Sequence, residues 1–425
     1  MEDVLLHRVV GKLKAILLIV DGMADRPLKE LEGRTPLEAA RKPVMDQIAR
    51  TGVCGILDPI SPGIPPGSDT ATLAFLGYDP FEVYSGRGAL EAVGSGVKVL
   101  AGDVAFRCNF ATVDRNLVVL DRRAGRISNE DASKLSESLR RIKLKKSLNA
   151  SFLFKNTVQH RAALVIHGPK LSTAVSDSDP EVNGKKVLEI RPLDKRPESM
   201  RTAAITNELM REFRKVLMEH PVNRQRVARG LPQANIVLCR GAGAIPKLKP
   251  LPELFGIRAS CIAAVSLIKG VCKVAGVDLV NVKGATGTPR TDYLAKARAA
   301  VQVLETHDFV LLHVKAADVA SHDGNFKLKI EVIENIDKML GYILNKVDLD
   351  STYLALTADH TTSCVTRNHE GDPVPVAITG PYVRKDGVWE FGERACAEGG
   401  LGRIRGLDLM YILMDLVGKA KKFGS

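Results

Sequence analysis

The residues of this 425-residue chain that could do chemistry are acidic and histidine side chains beside short apolar segments. They flank AILLIV, DFVLLHV, TYLALTA and PVAIT, and they are Asp21, Asp318, His322, Asp359, His360 and His369. Mixed carboxylate and imidazole ligands suit Zn, Mn or Fe better than the all-oxygen sites of Ca. One such aspartate is usually a turn or cap residue, and one such histidine is usually structural. Six of them at the ends of predicted strands predict a site for two divalent cations.

The positions of His322 and His313 also bear on this metal-site hypothesis. Asp318 and His322 are four residues apart, so they share one face if their segment is helical. His313 lies within DFVLLHV, and we expect it to be a core histidine or a support for a metal ligand.

Ser68 follows two prolines and a glycine and opens the segment SDTATLAF. Ser, Thr and Asp accept hydrogen bonds from the first turn of a helix, so Ser68 is a candidate helix cap. The alternative is a nucleophile at a helix N-terminus, where the helix dipole favours phosphate. Two cations about 4 Å apart can clamp phosphoryl oxygens, and a bound metal lowers the pKa of a hydroxyl. The neighbouring metal-type residues favour phosphoryl transfer through Ser68.

Composition narrows the class of protein. The net charge of +12 suits nucleic acid or a small polyanionic substrate. The basic run at 134–146 is typical of a solvated helix face, since no nucleic-acid motif or interleaved aromatic residue accompanies it.

Seven scattered cysteines without C-x-x-C spacing argue against disulfides and thiolate zinc, and predict small, partly buried residues. We find no membrane-length apolar run and no signal peptide, which predicts a cytoplasmic protein. Only five glutamines occur, which leans towards a thermophile.

Alternating strands and helices must position these residues. Strands are predicted at 14–20, 308–314 and 352–357, and helices at 36–51, 201–219, 291–306, 327–347 and 405–418. This rhythm predicts an α/β fold with a mostly parallel sheet flanked by helices. The segment 81–255 contains further predicted strands, among them LSTAVS, and a basic helix at 130–147. We therefore expect a discontinuous catalytic domain, 1–80 and 256–425, and an inserted α/β (α+β) domain, 81–255. The Pro-rich segment 245–256 is the candidate linker.

Motifs along nearly the whole chain resemble one family. They are LLIVDGMADRP, GSDTATLAFLGYDP, YSGRGALEAVGSGV, GDVAFRCNFATV, DRRAGRI, DVASH, TADHTT and NHEGDPVPV. In this order they resemble the archaeal branch of the cofactor-independent (2,3-bisphosphoglycerate-independent) phosphoglycerate mutases, in the alkaline phosphatase superfamily. The resemblance implies an isomerase of glycolysis and gluconeogenesis that interconverts 3-phosphoglycerate and 2-phosphoglycerate and needs no 2,3-bisphosphoglycerate.

The resemblance also implies roles for single residues. One metal would be held by Asp318, His322 and His369, and the other by Asp21, Ser68, Asp359 and His360. Ser68 would form a phosphoserine intermediate, and the two ions would be Mn, Mg, Co or Zn. The chain departs from the family at Thr72 and Glu181, where the family often has histidine, and neither position is an implied ligand.

A mutase must also retain glycerate, and arginine can clamp the carboxylate of glycerate through two hydrogen bonds. The insert supplies the substrate-binding candidates Arg107, Asn109, Arg122, Arg123, Arg126, His160, Arg161, Asp177, Asp179 and Arg240, and the first domain adds Lys269. Each is alternatively a surface charge. The expected partner is a small-molecule phosphoglycerate, with no nucleic acid and no membrane, and a homo-oligomer is allowed.

Two other functions are compatible with these patterns. One is a metal-dependent phosphatase or phosphonate hydrolase of the same superfamily, which would let water attack the phosphoserine. The other is a basic nucleic-acid-binding protein on an inactive enzyme fold.

Overall fold

The computed structural model describes residues 13–145 and 149–424. Its strands are β1 (Lys14–Val20), β2 (Val53–Asp58), β3 (Val104–Val113), β4 (Val119–Asp121), β5 (Ser151–Val158), β6 (Arg161–His167), β7 (Ile236–Gly243), β8 (Ala259–Ile262), β9 (Asp278–Leu279), β10 (Phe309–Val314), β11 (Thr352–Thr357), β12 (Thr361–Thr362), β13 (His369–Glu370), β14 (Val374–Thr379) and β15 (Gly402–Arg405). Its α-helices are α1 (Pro36–Ala39), α2 (Pro43–Thr51), α3 (Ser68–Phe75), α4 (Pro80–Val83), α5 (Arg87–Gly94), α6 (Asn129–Arg140), α7 (Pro197–Glu219), α8 (Pro221–Ala228), α9 (Leu251–Phe255), α10 (Ser266–Val274), α11 (Tyr293–Leu304), α12 (Ala316–His322), α13 (Phe326–Leu344), α14 (Glu393–Cys396) and α15 (Gly406–Leu416). Within these described ranges, no helix combines the length and the apolar character needed to cross a bilayer.

The chain divides into two compact units. One comprises Met1–Tyr84 and Leu248–Ser425, and the other comprises Ser85–Lys247.

The first unit is built on a sheet in the strand order β15-β2-β14-β11-β1-β10-β8-β9. β1 lies between β11 and β10 and pairs parallel with both, whereas β14 runs antiparallel to β11 and β2. An uninterrupted apolar run suits a strand that is covered on both faces. Accordingly, every residue from Ala15 to Val20 is fully buried. The predicted α/β fold with a mostly parallel sheet is confirmed.

The second unit has its own antiparallel sheet and its own core. β3 pairs with β4, β6 and β7, and β5 pairs with β6. Phe110 and Phe213 each pack edge-on against Phe154, with ring centroids 5.8 and 5.1 Å away. These aromatic contacts belong to a continuous buried cluster.

Three predicted elements differ from the structure. The helix expected at 36–51 is two helices, because Ala40 is extended and Pro43, which lacks an N–H, begins α2 after the non-helical Lys42. The helix expected at 130–147 ends at Arg140, and the last two residues of that prediction lie outside the described residues. LSTAVS forms only a bridge at Val175; the Ser172 hydroxyl accepts the Ala174 N–H at 3.1 Å, a local bond that competes with strand pairing.

The seven cysteines are all buried and none forms a disulfide. Cys108 and Cys239 face each other across β3 and β7 with their sulfur atoms 3.5 Å apart. These side chains are more deeply buried than the partly buried cysteines that the sequence predicted.

Candidate active site

The carboxyl ends of three neighbouring strands form the edge on which the site is built. β1 runs parallel to β10 and β11 and lies between them, so their ends meet at one edge of the sheet. The Asp21 N–H donates to the Val314 carbonyl, and the Asp318 N–H donates to the Asp21 carbonyl, both at 2.9 Å. These bonds hold the segments that follow β1 and β10 side by side.

One group of ligand-type side chains centres on Asp318, which is buried in the short helix α12. Its Oδ1 lies 3.2 Å from His322 Nε2 and 3.4 Å from His369 Nε2. The four-residue spacing of Asp318 and His322 therefore places both side chains on one helical face.

A second group centres on His360, three residues after the end of β11. Its Nε2 lies 3.2 Å from Asp359 Oδ2 and 3.4 Å from Asp21 Oδ1. The His360 ring stacks on the His369 ring with centroids 3.6 Å apart. The two groups therefore adjoin, and all six acidic and histidine candidates converge.

Ser68 lies at the second group. Its Oγ is 3.4 Å from Asp21 Oδ2 and 3.2 Å from His360 Nε2. Gly67 holds the N-cap position and Ser68 is the first helical residue of α3, so Ser68 is not the helix cap. Thr72, one turn later, donates its hydroxyl to the Ser68 carbonyl at 2.6 Å. The serine hydroxyl thus faces ligand-type side chains from a helix N-terminus.

The three candidate histidines are each oriented by a bond at Nδ1. The partners are the Arg367 carbonyl for His322 at 2.7 Å, the Pro66 carbonyl for His369 at 2.8 Å and the Thr362 hydroxyl for His360 at 2.8 Å. Such bonds fix the imidazole and leave Nε2 free to bind a metal. Thr362 also donates to Asp318 Oδ1 at 3.0 Å, so one hydroxyl touches both groups.

His313, for which the sequence left open a core position or support of a metal ligand, lies at the site. It is fully buried, and its Nε2 lies 3.1 Å from Asp21 Oδ2. Within the described residues, neither ring nitrogen of His313 nor the buried Asp359 Oδ2 has a hydrogen bond of good geometry, although Asp359 Oδ2 lies 3.2 Å from His360 Nε2. Buried polar atoms without hydrogen bonds are costly. A divalent cation would satisfy Asp359 Oδ2 and one ring nitrogen of His313, and Asp21, His313 and Asp359 have the spacing to hold one.

Lys315 is the functional residue that the sequence reasoning missed. Its ammonium donates to both carboxylate oxygens of Asp21 at 3.0 Å and to Asp318 Oδ2 at 2.7 Å. It directly follows β10 and precedes Asp318 by three residues, which is the available sequence signal.

Interactions among the charged side chains of the site shift several of their pKa values. Burial raises the pKa of Asp318 and Asp359, but the hydrogen bonds and charges of neighbours, His322 and His360 foremost, hold both pKa values below the ordinary range. Hydrogen bonding to Asp318 raises the pKa of His322, and nearby carboxylates raise the pKa of His360 against its burial. For Lys315, burial lowers the pKa, but the carboxylates outweigh it and keep the amine protonated. Because metals displace such protons, this donor set fits divalent cations.

A second constellation lies in the unit Ser85–Lys247. It is a cavity of ≈ 360 Å³, and six of its nine lining residues are arginines. The lining comprises Arg107, Asn109, Arg122, Arg123, Arg126, Gln159, His160, Arg161 and Arg240. All are sequence candidates except Gln159, which carries no charge and gave no signal.

The cavity is strongly cationic but only partly desolvated. Burial lowers the pKa of Arg107 to about 10, against the opposing charge of Glu91, whose Oε2 is 3.3 Å from Arg107 Nε. Burial and three neighbouring arginines lower the pKa of His160 to about 4. At neutral pH Arg107 is therefore charged and His160 is neutral, so the cavity favours an anion.

The acidic candidates lie beside this cavity and do not line it. Asp179 has a fully buried side chain that accepts two hydrogen bonds from Arg122, at 2.9 and 2.7 Å. Asp177 accepts the Gly241 N–H at 2.8 Å, and Glu181 pairs with Arg240 at 2.9 Å. Lys269 lies in the other unit, where it donates to Asn281 at 3.0 Å.

Fold and site together define an α/β enzyme of the phosphoryl-transfer class. A sequence profile described as 2,3-bisphosphoglycerate-independent phosphoglycerate mutase matches residues 49–223. Curated relatives with this name occur in Methanocaldococcus jannaschii, 49% identical over 414 residues, and in Methanothermobacter thermautotrophicus, 47% identical over 415 residues. In both cases the alignment covers 97% of this chain and 100% of the relative.

Two solved structures match nearly the whole chain. A protein from Pyrococcus horikoshii is 40% identical with a TM-score of 0.86, and the match covers 98% of this chain and 100% of that one. A cofactor-independent phosphoglycerate mutase from Thermoplasma acidophilum is 38% identical with a TM-score of 0.70, covering 96% and 100%. This chain belongs to the family of 2,3-bisphosphoglycerate-independent phosphoglycerate mutases, and the resemblance noted in its motifs is confirmed.

Proposed function

We propose that this protein interconverts 3-phosphoglycerate and 2-phosphoglycerate through a phosphorylated Ser68, without 2,3-bisphosphoglycerate. The observation that carries this proposal is the position of the Ser68 hydroxyl, within 3.4 Å of both Asp21 and His360 at the start of α3. The reaction belongs to glycolysis and gluconeogenesis, which suits a cytoplasmic location.

The metal-binding part of the proposal concerns seven side chains. One cation would be held by Asp318, His322 and His369, and the other by Asp21, Ser68, Asp359 and His360, with His313 beside the second set. The fit is supported by the three Nδ1 bonds that orient the histidines and by the unsatisfied Asp359 oxygen. Bound Mn, Mg, Co or Zn would lower the pKa of the Ser68 hydroxyl and offset the charge of the phosphoryl group.

Two transfers at Ser68 account for the isomerisation. In the first, Ser68 Oγ loses its proton and attacks phosphorus, the bond from phosphorus to O3 of glycerate breaks, and O3 takes up a proton. In the second, the 2-hydroxyl of the retained glycerate loses its proton and attacks phosphorus, the bond from phosphorus to Ser68 Oγ breaks, and Ser68 Oγ takes up a proton. Backbone N–H groups at the start of α3 favour the phosphoryl oxygens while the serine is esterified.

Retention of glycerate is what separates a mutase from a phosphatase. We assign binding of the substrate's anionic groups to the arginine cavity, with Arg107, Arg122, Arg123, Arg161 and Arg240 as donors and Asn109 and His160 as neutral partners. Asp179 acts there by orienting Arg122, since its own carboxylate would repel the substrate. In domain terms, residues 1–80 and 256–425 would be catalytic and residues 81–255 would bind substrate.

The decisive experiment compares Ser68→Ala with wild type and with a Ser61→Ala control. Ser68→Ala should lose 2-phosphoglycerate formation and the phosphoserine peptide detected by mass spectrometry, while it keeps its fold and its metal. Near-wild-type turnover in Ser68→Ala would refute the mechanism. Asp318→Asn and His322→Ala should lower metal content, measured by elemental analysis, and unchanged content would contradict the ligand assignment.

The same assays distinguish the rival functions. Free phosphate without 2-phosphoglycerate would identify a phosphatase. Tight, salt-dependent RNA binding by a protein that takes up no metal would identify the nucleic-acid-binding alternative.

A further inference from the structure

Lys315 supplies the fixed positive charge at the centre of the metal-type residues. Its ammonium contacts three oxygens from two carboxylates, both of Asp21 at 3.0 Å and Oδ2 of Asp318 at 2.7 Å. These two aspartates belong to different ligand groups, so the lysine bridges the groups. The side chain is 24% exposed, whereas those of Asp21 and Asp318 are 0% and 3% exposed.

When no cation is bound, the Lys315 ammonium reduces the repulsion between the buried carboxylates. Asp21, Asp318 and Asp359 are buried carboxylates at one sheet edge, and like charges at short range repel strongly in such surroundings. An ammonium with three donors can satisfy oxygens from two of them at once. Lys315 therefore keeps Asp21 and Asp318 turned towards each other.

The same contacts of Lys315 disfavour the binding of a divalent cation. Oδ1 and Oδ2 of Asp21 are both engaged by the ammonium, and a cation must share or take these lone pairs. The positive charge of Lys315 also repels a divalent ion at short range. Thr362 instead touches Asp318 through a neutral hydroxyl, which carries no such penalty.

We propose that Lys315 is an internal counter-ion that stabilises the metal-free site and competes with the proposed cations for the carboxylates of Asp21 and Asp318. This rests on the metal site of the proposed function. It makes Lys315 a positioning residue whose removal has two effects of opposite sign. A lysine that merely supported the local structure would, when removed, weaken both stability and metal binding.

The test uses the full-length protein stripped of metal with a chelator. Lys315→Met keeps most of the length of the side chain and removes its charge, and Lys338→Met, at an exposed position on α13, is the matched control. Thermal unfolding in chelator should give a lower Tm for Lys315→Met than for wild type. Calorimetric titration with Mn²⁺ should give a Kd at least ten-fold lower, because the competing cation is gone. Lys338→Met should change neither value.

The outcomes are separable. An unchanged metal-free Tm, or a Kd that is unchanged or higher in Lys315→Met, overturns the competition proposal even if wild type binds two Mn²⁺ and makes 2-phosphoglycerate. A wild type that binds no Mn²⁺ overturns the proposed metal site and the competition together. If Lys315→Met does not fold in chelator, Lys315→Arg decides: the retained charge should keep its metal-free Tm and its Mn²⁺ Kd near wild type, and a loss of folding or a shifted Kd counts against the proposal.

Discussion

The buried pair of Lys329 and Asp25 gives the sharpest prediction about what holds the site together. Both side chains are fully buried and lie 2.9 Å apart. The Lys329 ammonium also donates to the carbonyls of Ala24 at 3.0 Å and Thr362 at 2.9 Å. One lysine on α13 thus ties the segment after β1 to β12, and both of these flank the candidate site.

Replacing Lys329 with Met should strongly destabilise the metal-free protein. Removing one partner of a buried ion pair costs about 3–5 kcal/mol, because the other charge stays buried without compensation. Asp25 would keep N–H bonds from Arg26 at 2.8 Å and Cys364 at 3.2 Å, which places the expected loss near the lower end, about 3 kcal/mol. For a unit of this size that corresponds to a fall in Tm of roughly 6–12 °C.

The same substitution should weaken metal binding. Thr362 contacts Asp318 and His360 through its hydroxyl while Lys329 holds its carbonyl. Losing this support should raise the Mn²⁺ Kd by about 10–100-fold, the usual range for groups that orient metal ligands. This shift is opposite in sign to the one expected for Lys315→Met, so the two lysines serve as controls for each other.

Urea unfolding in chelator measures the free energy of unfolding of wild type, Lys329→Met and the exposed Lys338→Met. Adding Asp25→Leu to Lys329→Met removes the stranded charge and should recover a large part of the lost stability. A loss under about 1 kcal/mol in Lys329→Met, with unchanged Mn²⁺ affinity, would refute the reasoning, because it would mean that the stranded charge had found other compensation.

Two further predictions follow from other buried acids. Asp179→Asn should raise KM for phosphoglycerate about ten-fold with a smaller change in kcat, because Arg122 loses its charged partner; unchanged KM in steady-state assays would count against the orienting role. Burial raises the pKa of the partly buried Glu393 from 4.5 to about 7, so its contribution to stability is full below pH 4.5 and is lost as the pH rises through 7, by at most about 3 kcal/mol. Glu393→Gln should flatten that decline, measured as the difference in Tm of the metal-free protein between pH 5 and pH 8, and an equal decline in both proteins would contradict the assignment.

The sequence alone was sufficient to place the residues that follow clearly apolar strand segments. Asp21 ends one such run and Asp359 and His360 end another, and parallel strands necessarily align their carboxyl ends. The α/β fold was predicted from the alternation of strand and helix patterns along the chain. These inferences needed only local patterns and the rule that ligands gather at strand ends.

His313 and Lys315 could not be placed in this way, because their roles depend on which strands are neighbours. In the sheet, Ile19 pairs with His313, so this histidine lies next to the end of β1. Nothing local distinguishes β10 from β8 or β14 as the neighbour of β1. Without that order, a histidine in an apolar run indicates core and a lysine after a strand indicates a solvated charge.

The arginine cavity shows a conflict between stability and function that local patterns also hide. Six guanidinium groups line one ≈ 360 Å³ cavity, although like charges destabilise the folded state. Glu91 and Asp179 offset part of this repulsion, at 3.3 Å from Arg107 and 2.7 Å from Arg122. Glu181 offsets part of the charge of Arg240 at 2.9 Å, and the positive charge that remains uncompensated disfavours folding of the unit. An anionic ligand would relieve the repulsion and stabilise the folded state by mass action, which supports the proposed role of this cavity in binding the anionic groups of the substrate.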